Sequence, residues 1–257
     1  MRFLAKNLIL SSSEINGRQC DTIGAKTACF MEEMSMATNP MHDDPAQNWP
    51  QRGKAMSEEA YHRLEQRDPV YRYEYIQGRA YIVGGITVGH DRLRYNLHSL
   101  LDQQLTKPCA SFGSIVQVLL TNQEGDTKHF VYPDITISCM PDDNLPHNDL
   151  IRSPRVVIEV LAPSTEWRDR EVKFCAYQYC PTIQEIVFIN QFSPLVEVWR
   201  RDKRSISCWY PVQRYSQFES PGEAVAFNSV NVQIALEEIY QNSDFGAEVW
   251  GIDEDEE

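Results

Sequence analysis

The stretch Arg155-Val-Val-Ile-Glu-Val-Leu-Ala-Pro-Ser-Thr165 constrains this chain more than any other. VVIEVL is an apolar, β-branched run with a proline on either side, the pattern of a strand buried on both faces. Its single carboxylate, Glu159, would then lie in low dielectric, at a cost of roughly several kcal/mol unless it is paired or bound to a cation. Pro163 ends the strand, and Ser164 or Thr165 is placed to cap a following helix. A buried acid at the end of a strand, just before a helix, is where α/β enzymes hold their chemistry. The rest of the chain is read around what Glu159 does.

With 257 residues and 42% hydrophobic content, the chain can bury one sizeable core plus tails. Its net charge of -13 is uneven: residues 237–257 carry nine acids and no Lys or Arg. The acidity therefore belongs mostly to a tail and says little about the partners of the central region. Residues 1–55 show no sustained period and read as a poorly ordered extension. Residues 56–240 read as the folded domain, and residues 241–257 as an acidic tail. The seven Cys have no CxxC pair or metal-finger spacing, which fits reduced thiols; Cys139 and Cys175 read as small buried hydrophobes. No apolar run reaches the ~18 residues of a membrane span. The start, MRFLAKNLILSSS, is interrupted by Lys6 and Asn7 and is followed by no clear cleavage site. The expectation is a cytoplasmic protein with no membrane association.

Ser57 is placed to cap a short helix, SEEAYHRLEQ. Tyr71–Ile76 and Arg79–Val83 form a hairpin about Gln77-Gly78. Leu93, Leu97, Leu100, Leu101 and Leu105 recur at helical spacing over His90–Gln104. Strands are predicted over Ser114–Thr121 and His129–Cys139, with a loop at 141–149 before the Arg155–Leu161 strand. A helix follows over about 165–179, then strand Ile183–Asn190 and antiparallel strands Leu195–Arg200 and Ser205–Tyr210. Residues 228–240 close the domain as a short helix or strand. Helix, strand, strand, strand, helix, strand is a mixed sheet with flanking helices, a small α/β layered architecture.

Asp134 follows Pro133 in the strand before Glu159. In neighbouring strands, about 4.8 Å apart, the two carboxylates come within reach of one cation. Such a hard-oxygen site suits Mg²⁺, which takes few protein carboxylates and keeps water or phosphate as further ligands. Asp169, Lys173 and Tyr177 follow at i, i+4, i+8 and share one helical stripe, so the ammonium of Lys173 could hold a phosphate oxygen or orient water. Each position has a plain structural reading beside this one. Asp134 could begin a turn, and Glu159 could pair with Arg155 or Arg168. Lys173 could make a surface pair with Asp169 worth about 0.3–0.5 kcal/mol. The apolar surroundings of Glu159 favour function there. Glu74, within the hairpin, and His90, at the start of the long helix, are accessory candidates. Arg200, Arg201, Lys203 and Arg204 form a basic knot that could meet phosphates but reads more readily as a solvated hairpin tip.

YEYIQGRAY, His90, YPDI at 132–135, RVVIEVLAPST at 155–165 and DREVKFCAYQ at 169–178 together resemble the Uma-type restriction endonuclease family, within the PD-(D/E)xK nuclease superfamily. The resemblance covers roughly residues 56–240. It implies a restriction-endonuclease-like αβββαβ core with an N-terminal helix and hairpin and C-terminal antiparallel strands. It also implies Mg²⁺-dependent hydrolysis of phosphodiester bonds (Mn²⁺ able to substitute), with Asp134 and Glu159 as metal ligands and Lys173 in place of the superfamily lysine. That lysine ordinarily sits two residues after the acid, where this chain has Leu161. DNA is the implied substrate, with RNA or branched DNA as alternatives, and cutting both strands would suit a homodimer. The near-neutral central region keeps a rival open, a non-catalytic binding or interaction module on a nuclease fold.

Overall fold

A computed structural model of the chain describes residues 53–202, 205–216, 222–243 and 245. The expected extension up to residue 52 lies outside the described residues, as does nearly all of the acidic tail. In chain order the elements are β1 (Lys54–Ala55), α1 (Glu58–Arg67), β2 (Tyr73–Ile76), β3 (Arg79–Ile82), α2 (Val88–Gln104), β4 (Ala110–Gly113), β5 (Gln117–Thr121), β6 (Lys128–Val131) and β7 (Ile135–Ser138). Then come β8 (Leu150–Ile151), β9 (Pro154–Leu161), a π-helical stretch (Arg168–Lys173) running directly into α3 (Phe174–Tyr179), β10 (Glu185–Asn190), β11 (Leu195–Asp202), β12 (Ser205–Ser216), β13 (Ala224–Phe227), β14 (Val232–Ala235) and α4 (Leu236–Ile239).

Local chemistry sets several boundaries. Ser57 Oγ accepts the N–H of Ala60 at 3.2 Å and opens α1, whose first turn carries Glu58 and Glu59, favourable at the positive end of a helix. Gln77 and Gly78 both have positive φ, 51° and 76°, the two-residue turn that matches the twist of the β2–β3 hairpin. Thr87 Oγ1 accepts the N–H of His90 at 3.2 Å, so α2 begins at Val88 and His90 falls in its first turn rather than at its first residue.

One predicted strand is two. His129–Cys139 breaks at Tyr132-Pro133, because proline has no N–H for a ladder and its ring restricts the residue before it. β6 stays in a sheet of order β1-β3-β2-β6-β5-β8, whereas β7 joins a second sheet of order β12-β11-β10-β9-β7-β4. β4, which the pattern after Pro108 did not signal, pairs antiparallel with β7 from Ala110↔Ser138 to Gly113↔Ile135. That register sets Cys109 beside Cys139, and the two form a disulfide. Cys175 is disulfide-bonded as well. The expectation of reduced thiols is therefore corrected: the pairing follows from strand register, which a separation of 30 residues does not disclose.

The second sheet is covered on both faces. On one, Leu93, Leu97 and Leu101 of α2 pack with Ile135, Ile137, Ile158 and Val187 and with the β13–β14 hairpin and α4. On the other, Val157, Leu161, Ile186 and Phe188 pack with α3 and with the inner face of the first sheet, through Ile76, Val118, Leu120 and Val131. The outer face of the first sheet carries Tyr61, Tyr73, Tyr75 and Phe130, which join it to α1. Each such side chain contributes about 1.5–3 kcal/mol on full burial. Among the described residues no helix is long and apolar enough to cross a membrane.

Within the basic knot, Arg200 and Arg201 are not solvated. Arg200 Nε meets Glu185 Oε1 at 2.7 Å. Arg201 is buried, donates to the carbonyls of Ile183 and Cys180 at 2.7 and 2.6 Å, and lies over the Trp209 ring. Lys203 and Arg204 lie outside the described residues.

Candidate active site

Register brings the two proposed ligands together. β7 and β9 run antiparallel with Ile135 opposite Ile158, so Asp134, the residue before β7, comes opposite Glu159 one step further along β9. Glu159 is buried on the side of β9 that faces α3 and the first sheet. Glu74 comes from that other sheet. Its neighbours Tyr73 and Tyr75 turn toward α1, so a period of two turns Glu74 inward.

Lys173 fills the gap between the sheets. Its ammonium lies 2.6 Å from Glu159 Oε1, 3.1 Å from Glu74 Oε1 and 3.4 Å from Asp169 Oδ1. An ammonium has three hydrogens to offer, and three carboxylates surround this one. Lys173 is only 3% exposed, so the reading as a surface pair with Asp169 does not hold. Tyr177 donates its hydroxyl to the same Oε1 of Glu159, and Thr165 Oγ1 donates to Asp169 Oδ2 at 3.0 Å. Glu74 Oε1 also accepts the N–H of Tyr132 at 3.0 Å, at the joint where the chain passes from one sheet to the other. Asp134 is held from a different direction. Its Oδ2 accepts the N–H of Val160 at 2.8 Å and lies 3.2 Å from His90 Nε2, in the first turn of α2. All seven predicted site residues thus fall in one neighbourhood, in two linked groups: Asp134 with His90, and Glu159 with Lys173, Tyr177, Asp169 and Glu74.

Arg168 completes the cluster, and sequence reasoning did not count it among the site residues. It was weighed only as a partner of Glu159, along with Arg155. Instead Arg168 Nε approaches Glu74 Oε2 at 3.8 Å and its NH1 donates to the Ile82 carbonyl at 3.3 Å, while Arg155 NH1 reaches the Ser229 carbonyl. The reason is the winding. In an α-helix residues five apart diverge, but in a π-helical stretch they come round together. Arg168 and Lys173 therefore meet the same carboxylate.

Burial sets the electrostatics. It pushes the Glu159 carboxyl up from its ordinary range, more than the Lys173 charge pulls it down, and it raises Asp169 likewise. Burial also raises Glu74, but Lys173, Arg168 and the Tyr132 N–H outweigh it and hold that group below its usual range. Lys173 is disfavoured as a cation by burial, yet Glu159 and Glu74 keep its proton on well above the ordinary lysine range. Burial would neutralise His90, but the hydrogen bond and charge of Asp134 raise it overall. The Tyr177 hydroxyl is pushed well up by burial and by Glu159, so it remains a donor.

The donor set can be tested for a cation. Asp134 Oδ1 and Glu159 Oε2 take no hydrogen bond from the described residues, while their partner oxygens are engaged. Among the described residues no group of three or more His, Cys, Asp and Glu is arranged to hold a metal ion. An ion here would have two protein carboxylates and complete its shell with water or substrate, which fits Mg²⁺.

The sequence over residues 58–235 matches the model of the Uma2 family, described as "Putative restriction endonuclease". Two proteins of Synechocystis sp. (strain ATCC 27184 / PCC 6803 / Kazusa) are similar to it. Uncharacterized protein slr1290 is 28% identical over 148 residues, 57% of this chain and 75% of that one. Uncharacterized protein sll1609 is 27% identical over 130 residues, 50% and 71%. The crystal structure of "a putative nuclease belonging to DUF820" from Anabaena variabilis ATCC 29413 superposes with a TM-score of 0.50 at 16% identity, covering 65% of this chain and 89% of that one. The likeness is one of fold, and the fold is restriction-endonuclease-like.

Proposed function

Because this chain belongs to the Uma2 family of restriction-endonuclease-like proteins, we propose that it is a Mg²⁺-dependent endonuclease that hydrolyses phosphodiester bonds in DNA. The observation that carries the reading is the opposed pair Asp134 and Glu159, each with one carboxylate oxygen that takes no hydrogen bond from the described residues. Those two oxygens would hold the cation. When bound it supplies a Lewis acid that stabilises charge on the phosphate and makes an attacking water more acidic; Mn²⁺ would serve in its place.

The chain's own residues orient that pair. Lys173 and Tyr177 fix Glu159, while His90 and the Val160 N–H fix Asp134. Glu74, neutralised by Lys173 and Arg168, keeps the ammonium between the two sheets. With three carboxylates around its ammonium, Lys173 reaches a substrate phosphate only by giving up a partner. Asp169, the most distant at 3.4 Å, is the one it would give up.

The engaged ammonium and the overall charge of -13 also favour a second reading, an interaction module on a nuclease fold. A cleavage assay separates the two. Plasmid and linear duplex DNA, single-stranded RNA and branched DNA would be incubated with Mg²⁺ or Mn²⁺, using the parent and the variants Asp134→Asn and Glu159→Gln. The expected result is metal-dependent cleavage of duplex DNA that falls at least about a hundredfold in both variants. No cleavage by the parent on any substrate supports the module, and unaltered cleavage by the two folded variants removes the assigned site.

A further inference from the structure

Each of the opposed carboxylates is fastened by one oxygen only. Glu159 Oε1 takes both the Tyr177 hydroxyl and the Lys173 ammonium, and Asp134 Oδ2 takes both the Val160 N–H and the His90 side chain. The other oxygen of each, Oε2 and Oδ1, takes nothing from the described residues. We infer that Tyr177 and His90 are positioning residues that restrict Glu159 and Asp134 to one-oxygen contact with a cation, so that the site selects a small octahedral ion over Ca²⁺. The inference rests on the cation site proposed above.

The ion chemistry supplies the link. Ca²⁺ gathers about six to eight oxygens at flexible geometry and often takes both oxygens of a carboxylate, whereas Mg²⁺ needs a near-ideal octahedron and is content with one or two carboxylates and its own waters. A carboxylate free to swing can offer both oxygens. One whose inner oxygen is held by a hydrogen bond and an ion pair in a buried setting cannot do so without breaking those contacts.

Both residues are held stiffly for this task. Tyr177 is 0% exposed and its ring lies in the core between the sheets. His90 is 4% exposed, its own N–H is caught by Thr87, and its Nδ1 has no partner. A buried imidazole with one bare nitrogen costs stability, and Asp134 is its one side-chain contact of opposite charge among the described residues. The position serves the carboxylate rather than the helix.

The test is calorimetric titration of the full chain with Mg²⁺, Mn²⁺ and Ca²⁺ in turn, without nucleic acid. Parent, Tyr177→Phe, His90→Ala, His90→Gln and the Phe/Ala double variant would be compared, each checked for a cooperative thermal transition. Tyr177→Phe removes only a hydroxyl, and His90→Gln keeps a side-chain donor, so these two guard against loss of fold. The parent is expected to bind Mg²⁺ and Mn²⁺ more tightly than Ca²⁺. That preference should shrink about tenfold in Tyr177→Phe and in His90→Ala, one charge-assisted hydrogen bond each. It should shrink further in the double variant and recover in His90→Gln. An unchanged preference in the folded Tyr177→Phe and His90→Ala variants overturns this inference while leaving the cation site intact. Absence of binding by the parent to any of the three ions overturns the cation site itself.

Discussion

Replacing Lys173 with Met isolates what its ammonium contributes to the fold. Methionine keeps an unbranched stem of similar length and deletes the charge. Glu74, Glu159 and Asp169, at 1%, 3% and 4% exposure, would then face one another with Arg168 as the cation left beside them among the described residues. Removing one partner of a buried ion pair destabilises by about 3–5 kcal/mol, because the remaining charge has neither water nor counter-ion. The carboxyls can limit that loss by taking up protons. In the variant their folded-state pKa values rise above those of the unfolded chain, so the folded state binds more protons and stability falls as pH rises. Urea unfolding followed by tryptophan fluorescence should therefore show the deficit largest at about pH 8 and smallest at about pH 5.5. A variant as stable as the parent at about pH 8, or a deficit that grows on acidification, would refute the three-carboxylate arrangement around this lysine.

Two further perturbations probe the scaffold. His129 is buried, its Nδ1 accepts the Gln77 N–H at 3.2 Å, and burial holds the imidazole down at about 4 against an ordinary 6.5. The unfolded chain takes the proton first, so as pH falls from 6.5 to about 4 this group should withdraw roughly 3 kcal/mol of stability. His129→Gln should flatten that acid limb in a pH series of melts, and an unchanged limb would contradict the burial argument. Glu185 accepts the N–H groups of Asn228 and Ser229 at 3.0 and 2.9 Å, the Ser229 hydroxyl at 2.6 Å and Arg200 at 2.7 Å. Glu185→Ala strands all four donors and should lower stability by about 3 kcal/mol or more, read as a drop in Tm; a melting temperature equal to the parent's would show that these donors find other partners.

The parts of the fold that can be read from residue pattern are those governed by one element at a time. The Ser57 cap, the Gln77-Gly78 turn, the leucine stripe of α2 and the apolar β9 each carry their own signal, and all four stand in the structure. That Asp134 and Glu159 come close together was legible for a similar reason, since Glu159 lies on β9 and Asp134 directly precedes the neighbouring β7. What escaped depends on relations between elements. The split of the 129–139 run into two sheets turns on one proline, and β4 has no pattern of its own and exists because β7 offers an edge. The Cys109–Cys139 disulfide follows from that edge. Arg168 was hidden by the assumption of 3.6 residues per turn, a period that places it off the Asp169–Lys173–Tyr177 stripe.

The wide winding at Arg168–Lys173 works as a phase adjuster for the charges it carries. With the cation on a helix, β9 is free to keep Leu161 in the dry space between the sheets, and Glu159 remains the strand's sole acid. Arg168 and Lys173 reach Glu74 together only while that one turn stays open. Winding the same residues as an ordinary α-helix would set Arg168 and Lys173 about 140° apart around the axis. The helix would survive such a rewinding, but two cations that now converge on one acid would point apart.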